Sequence, residues 1–167
     1  MKRSRAGALV GALALSALAA LALAQDAKKP EAAASHAGHI VVTPDDVKWS
    51  AGPGTIPAGT QMAVIEGDPS KPGLFAMRLK MPAAYKIPPH FHPADEHVTV
   101  ISGTMNMGMG DTLDTAKAHA LPKGSFSVMP AKVHHYAFTR EETIVQIHGM
   151  GPWGITYVNP ADDPRKK

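Results

Sequence analysis

The chain has 167 residues, 44% of them hydrophobic, which allows one domain with its own core. It contains no cysteine, so thiol nucleophiles, iron–sulfur clusters, Cys-ligated zinc and blue-copper centres are excluded. Its 17 Lys and Arg against 14 Asp and Glu give a net charge of +3, but Lys2, Arg3 and Arg5 sit at the extreme N-terminus; the remainder balances 14 against 14, and no basic stripe points to nucleic acid.

In chain order, Lys2, Arg3 and Arg5 precede an apolar run over residues 6–23, rich in Ala and Leu. The run ends in Ala22-Leu23-Ala24, a small-x-small pattern, followed by polar Gln25. This reads as a secretory signal peptide over residues 1–24, cleaved after Ala24. A membrane anchor is the competing reading because the run is nearly long enough to span. Alanine contributes little to insertion and the cleavage pattern is well formed, so a periplasmic or secreted protein, with no membrane in its mature form, is expected. Residues 25–43 are rich in Ala, Lys, Glu, Pro and His and read as a flexible leader. His36 and His39, within it, read as polar leader residues rather than a metal site.

From residue 44 onward the text is strand-like. Short segments bounded by Gly, Pro or Asp predict strands at 61–66, 74–81, 85–92, 97–102 and 104–109, then at 125–129, 135–139, 143–148 and 154–158. With 15 Gly and 15 Pro, turns are frequent and long helices hard to place. Even spacing of short strands suits an all-β sandwich, jelly roll or small barrel over residues 44–160. Residues 161–167 are expected to form an irregular charged tail.

The informative stretch is His90-Phe91-His92-Pro93-Ala94-Asp95-Glu96. Histidines at i and i+2 on a strand share a face, with Phe91 on the other. A turn through Pro93, Ala94 and Asp95 can return Glu96 beside them. Two imidazole nitrogens and a carboxylate oxygen then form a facial triad with open positions opposite. Farther on, Gly124 opens a strand, Pro130 closes it and His134-His135 begin the next. These two histidines must face opposite ways, so only one can easily join a shared metal.

These spacings resemble the cupin superfamily. Its first motif, G-x5-H-x-H-x3-E-x6-G, is matched by His90, His92, Glu96 and Gly103, with Ala84 in place of the leading Gly. Its second, G-x5-P-x-G-x2-H-x3-N, is matched by Gly124, Pro130 and His135, with Lys132 for the second Gly and Thr139 for the Asn. The resemblance implies a single-domain jelly-roll β-barrel holding one divalent metal (Fe, Mn, Ni, Cu or Zn) through His90, His92, Glu96 and His135. The Lys132 departure bears on the turn geometry, because Gly there usually supplies a positive φ.

Other residues are weighed individually. His148 and Gln146 share a face of the strand 143–148; if it lines the barrel, both can contact substrate or support the ligands. His97 reads as a surface or packed histidine, and His134 as a rim residue. Tyr136 and Tyr157 carry hydroxyls within reach of a cavity. Met105, Met107 and Met109 share a face and read as a barrel wall of flexible apolar filler, ahead of a Cu(I) site. Asp111, Asp114, Asp162 and Asp163 read as solvated loop residues. The expected function is a metal-dependent, oxidoreductase-like enzyme acting on a small molecule, with a non-catalytic binding or sensing module as the alternative. A homodimer is compatible with either.

Overall fold

The computed structural model describes residues 38–167. The segment read as a signal peptide, the leader up to residue 37, and His36 with it, lie outside the described residues. His39 is exposed.

A 3₁₀ turn, Pro44–Asp46, precedes β1 (Ser50–Ala51), β2 (Gln61–Glu66), β3 (Gly73–Met81), β4 (Lys86–Phe91), β5 (Glu96–Ser102) and β6 (Thr104–Met109). Then follow β7 (His119–Pro122), β8 (Phe126–Met129), β9 (His135–Thr139), β10 (Thr143–Gly151) and β11 (Thr156–Tyr157). Two sheets result, ordered β1-β2-β3-β10-β5-β8 and β11-β4-β9-β6-β7, with every pairing antiparallel. Side-chain alternation sorts β3 and β10 into a core face and an outer face, whereas β9 is buried throughout. β3 buries Phe75, Met77, Leu79 and Met81, and β10 buries Val145 and Ile147. Val98, Val100, Ile87, Met105 and Ala137 complete the core, contributed by both sheets.

Three predicted strands, at 61–66, 104–109 and 135–139, coincide with β2, β6 and β9. β1 and β7 lacked a signal: both are short, mostly exposed edge strands with little apolar alternation. The last residues are more ordered than an irregular tail. They form two 3₁₀ turns, Pro160–Asp162 and Pro164–Lys166. Asp163 is buried rather than solvated; its Oδ1 accepts from the Arg165 amide at 3.0 Å and Nε at 2.8 Å, and its Oδ2 meets Nη2 at 2.7 Å.

Gly103 alone joins β5 to β6, at φ +71°. A Cβ there would lie 2.4 Å from the Glu142 carbonyl oxygen and 2.7 Å from Thr143 Oγ1. Gly103→Ala therefore combines left-handed strain with a clash against backbone, and is expected to cost about 2–3 kcal/mol. A urea titration followed by circular dichroism checks this; an unchanged midpoint contradicts it.

Both positions where the cupin motifs have Gly and this chain does not are left-handed: Ala84 at φ 58° and Lys132 at φ 64°. The turn geometry is thus kept without glycine, and local bonds hold it. Thr139 Oγ1 donates to the Pro82 carbonyl at 2.6 Å and its amide donates to the Tyr85 carbonyl at 2.9 Å, bracketing Ala84. Lys132 donates its amide to the His92 carbonyl at 2.9 Å. Both side chains are exposed, so replacement by Gly loses little packing. Lys132→Gly relieves roughly 1–2 kcal/mol of strain and adds roughly 0.4–1 kcal/mol of unfolded-chain entropy. A net gain of about 0.5 kcal/mol is expected, read as a raised melting temperature; a lowered one refutes it.

Candidate metal centre

His90 is the penultimate residue of β4, His92 follows that strand, Glu96 opens β5 and His135 opens β9, so all four side chains gather at one end of the two sheets. His90 and His135 are direct cross-strand partners, with ring centroids 4.2 Å apart. His90 and His92 lie 4.9 Å apart, and His92 and His135 5.2 Å. Each of the three imidazoles offers one nitrogen within 4.8 Å of the others. Glu96 joins from one side: Oε1 is 3.6 Å from His92 Nε2 and Oε2 is 3.4 Å from His135 Nε2. All four are almost fully buried.

The backbone sets the ring tautomers. His90 Nδ1 meets the Pro88 carbonyl at 2.7 Å, His92 Nδ1 the Gly154 carbonyl at 2.7 Å and His135 Nδ1 the Val133 carbonyl at 3.0 Å. A carbonyl only accepts, so each Nδ1 carries the hydrogen and each Nε2 of a neutral ring keeps a lone pair. His92 Nε2 and His135 Nε2 are buried without a hydrogen-bond partner, although Glu96 lies close to both. Buried polar atoms are rarely left this way. The residues therefore fit a metal ion: neutral imidazoles with oriented Nε2 lone pairs, beside one carboxylate.

Electrostatics agree. Burial, reinforced by the neighbouring His135 and His92, pulls His90 down to about 3. Burial also lowers His92, against the pull of Glu96. For Glu96, burial acts upward, but its contact with His135 and the adjacent imidazoles outweigh it and hold the carboxyl below its ordinary value. Burial thus favours the neutral form of His90 and His92 beside a Glu96 carboxylate.

The two motif segments are stitched by loop contacts. Asp95 Oδ1 accepts from the Ala131 amide at 2.8 Å, beside the bond from Lys132 to the His92 carbonyl. This clamps the turn before β5 to the turn before β9 and sets His135 beside His92. Pro88 and Pro89 supply no amide hydrogen, and the β4–β9 register shifts there. That irregularity frees the Pro88 carbonyl for the His90 ring. Trp153, from the turn after β10, stacks on His92 at 4.2 Å and 17° and also packs against Phe75 at 5.5 Å. The sequence pattern marks Asp95 only as a turn residue and Trp153 only by its place in a Gly-Pro-Trp-Gly turn.

The remaining expectations sort by sheet face. His135 is buried in the cluster, whereas His134 faces outward, stacks on Phe91 and meets Asp111 at 2.6 Å. Gln146 and His148 do not line the cavity, because Val145 and Ile147 occupy the inward positions of β10. Gln146 accepts instead from Arg78 Nε at 3.1 Å on the outer face, and His148 stacks there on His97 at 4.9 Å. Neither is placed to touch a substrate or a ligand of the centre. The Tyr136 hydroxyl is committed to the Asp114 carbonyl at 2.7 Å and that of Tyr157 to the Thr55 carbonyl at 2.9 Å. The methionine run divides: Met105 lines the cavity, Met107 Sδ receives the Ser127 hydroxyl at 3.8 Å, and Met109 is exposed.

The cluster opens into a cavity of about 410 Å³ between the sheets, walled by Met77, Leu79, Met105, Val145 and Ile147. That volume lies within the usual range for small-molecule sites.

Comparison with known proteins agrees with this architecture. Similar solved structures include the polyketide cyclase RemF of Streptomyces resistomycificus (17% identity, TM-score 0.59, covering 75% of this chain and 89% of that one). A candidate acetylacetone dioxygenase of Methylibium petroleiphilum PM1 aligns at 18% identity and TM-score 0.58, over 76% of this chain and 85% of that one. An RmlC-like cupin of Shewanella frigidimarina NCIMB 400 aligns at 13% and 0.52, over 68% and 91%. At such identities the likeness is one of fold. No curated protein sequence matches the chain. Residues 19–153 match the family described as "Domain of unknown function (DUF4437)", a cupin-type domain, and the chain belongs to it.

Proposed function

We propose that the protein is a mononuclear metal-dependent enzyme acting on a small molecule, with His90, His92, His135 and Glu96 as the metal's protein ligands. The observation that carries this reading is the pair of buried, unpartnered Nε2 atoms, on His92 and His135, aimed into a shared site beside Glu96. A divalent ion held there supplies Lewis acidity or, if it is iron, manganese, nickel or copper, redox chemistry. The chain's own contribution is to hold the imidazoles in one tautomer, keep a carboxylate beside them, and offer the substrate an apolar cavity. Dioxygenase-like chemistry is the favoured class: three imidazoles and one carboxylate would hold a divalent metal that could supply redox chemistry to a small molecule.

The test is metal analysis of protein purified without a His tag, followed by turnover screens with the metal it carries. One equivalent of metal, lost in Glu96→Ala together with turnover, supports the reading. Metal saturated by protein ligands, with no exchangeable solvent, leaves a binding or sensing module instead. We further propose export, on the strength of the N-terminal segment. Among the described residues no helix is long and apolar enough to cross a membrane. N-terminal sequencing of the protein from a periplasmic fraction is expected to begin at Gln25; an intact Met1 contradicts this.

A further inference from the structure

The wall of the cavity limits what can enter it. The strand positions facing inward are aliphatic or methionine, and no lysine or arginine lines the cavity among the described residues. Apart from the metal-centre residues and the Trp153 indole, its polar side chains are Thr55, Asp68 and Ser70, all from the loops before and after β2. Asp68 is already matched: Lys71 Nζ lies 2.9 Å from Oδ2, and the Ser70 amide and hydroxyl bond Oδ1 at 2.9 and 2.7 Å. The remaining wall therefore offers a charged tail no partner, and burying an unpaired charge is strongly unfavourable. Methionines 62, 77, 81 and 105 give that wall a flexible, polarizable surface suited to a flat or irregular apolar body. Trp153 adds an aromatic edge beside His92. A cavity of about 410 Å³ is in the range that takes small organic ligands, enough for a one- or two-ring molecule.

We infer that the ligand is a compact apolar molecule, aromatic or alicyclic, with one oxygen-bearing head directed at the His/Glu cluster and no second charged group. This rests on the proposed site, but concerns the wall rather than the metal. Phosphorylated sugars, dicarboxylates and sulfonated compounds are outside the class, because each brings an anion into a wall without cations.

The probes are 2-naphthol and its sulfonated analogue 6-hydroxynaphthalene-2-sulfonate, which share a head and a ring system and differ in one distal charge. Titration by calorimetry uses chelator-treated protein, so the result does not depend on metal occupancy; metal uptake is measured separately on the same preparation. The expected result is saturable one-to-one binding of 2-naphthol and affinity for the sulfonate weaker by at least about tenfold. Val64 lines the cavity yet is 47% exposed, so Val64→Lys adds a cation at little risk to folding, which circular dichroism verifies. In that variant the preference is expected to narrow or invert. Equal or tighter binding of the sulfonate by the native protein, or no saturable binding of 2-naphthol, overturns the inference. Failure of metal uptake with the naphthol preference intact would count against the metal proposal alone.

Discussion

Replacing His135 by alanine is expected to reduce affinity for zinc or cobalt by at least about a hundredfold, whereas His148→Ala leaves it unchanged. Loss of a residue that merely supports a ligand costs roughly 10–100-fold in metal affinity, and loss of a ligand more. His135 is the cross-strand partner of His90 and lies against Glu96, so its removal leaves a gap between two elements of the cluster. His148 lies on the opposite face of its sheet, against His97, and can report only nonspecific uptake. Competition with a chromophoric chelator gives both affinities, and cobalt adds a visible spectrum sensitive to nitrogen and oxygen ligands. The substitution also leaves a cavity, so the metal-free melting curve must be compared first. If the folded His135→Ala protein binds cobalt as tightly as the native one, the cluster is not the metal centre.

Much of this was legible in the residue pattern, for identifiable reasons. Strands that alternate between core and solvent, such as β3 and β10, carry a period-two signal. The H-x-H pair fell on one face because strand geometry requires it, and Gly103 marked a turn with no room for a side chain. Three things were not legible. The edge strands β1 and β7 are held by backbone pairing, and their side chains record little of it. The inward face of β10 could not be chosen from residues 143–148, since both Val145/Ile147 and Gln146/His148 obey the same period; apolar burial decided it and moved the polar pair outside. The support of the three imidazoles comes from the carbonyls of Pro88, Val133 and Gly154, and a carbonyl has no sequence signature. Ala84 and Lys132 show a related limit: the departures from the glycine pattern altered the residue but not the backbone conformation.

The metal-free protein is expected to lose stability steeply below about pH 6.5. The sign follows from proton binding. His90 is held near 3 when folded, against an ordinary value of 6.5. Between those values the unfolded chain takes up a proton that the folded protein refuses, so acid favours unfolding. One fully depressed histidine contributes a slope of about 1.4 kcal/mol per pH unit. For His90 alone the loss between pH 6.5 and pH 3 reaches about 4–5 kcal/mol. His92 is shifted the same way and adds to the slope. Glu96, depressed in the folded state, acts with the same sign but begins only as pH falls below its unfolded value of 4.5. A domain stable by ~5–15 kcal/mol cannot absorb such losses indefinitely, so the urea midpoint should fall continuously from pH 7 to pH 5. Metal that binds only the folded cluster adds stability by mass action, and should displace the acid transition to lower pH. Urea titrations of chelated and metal-loaded protein at several pH values separate the two effects. A midpoint in the chelated protein that stays constant between pH 7 and pH 5 would show that His90 and His92 take up protons freely in the folded state, which their burial opposes.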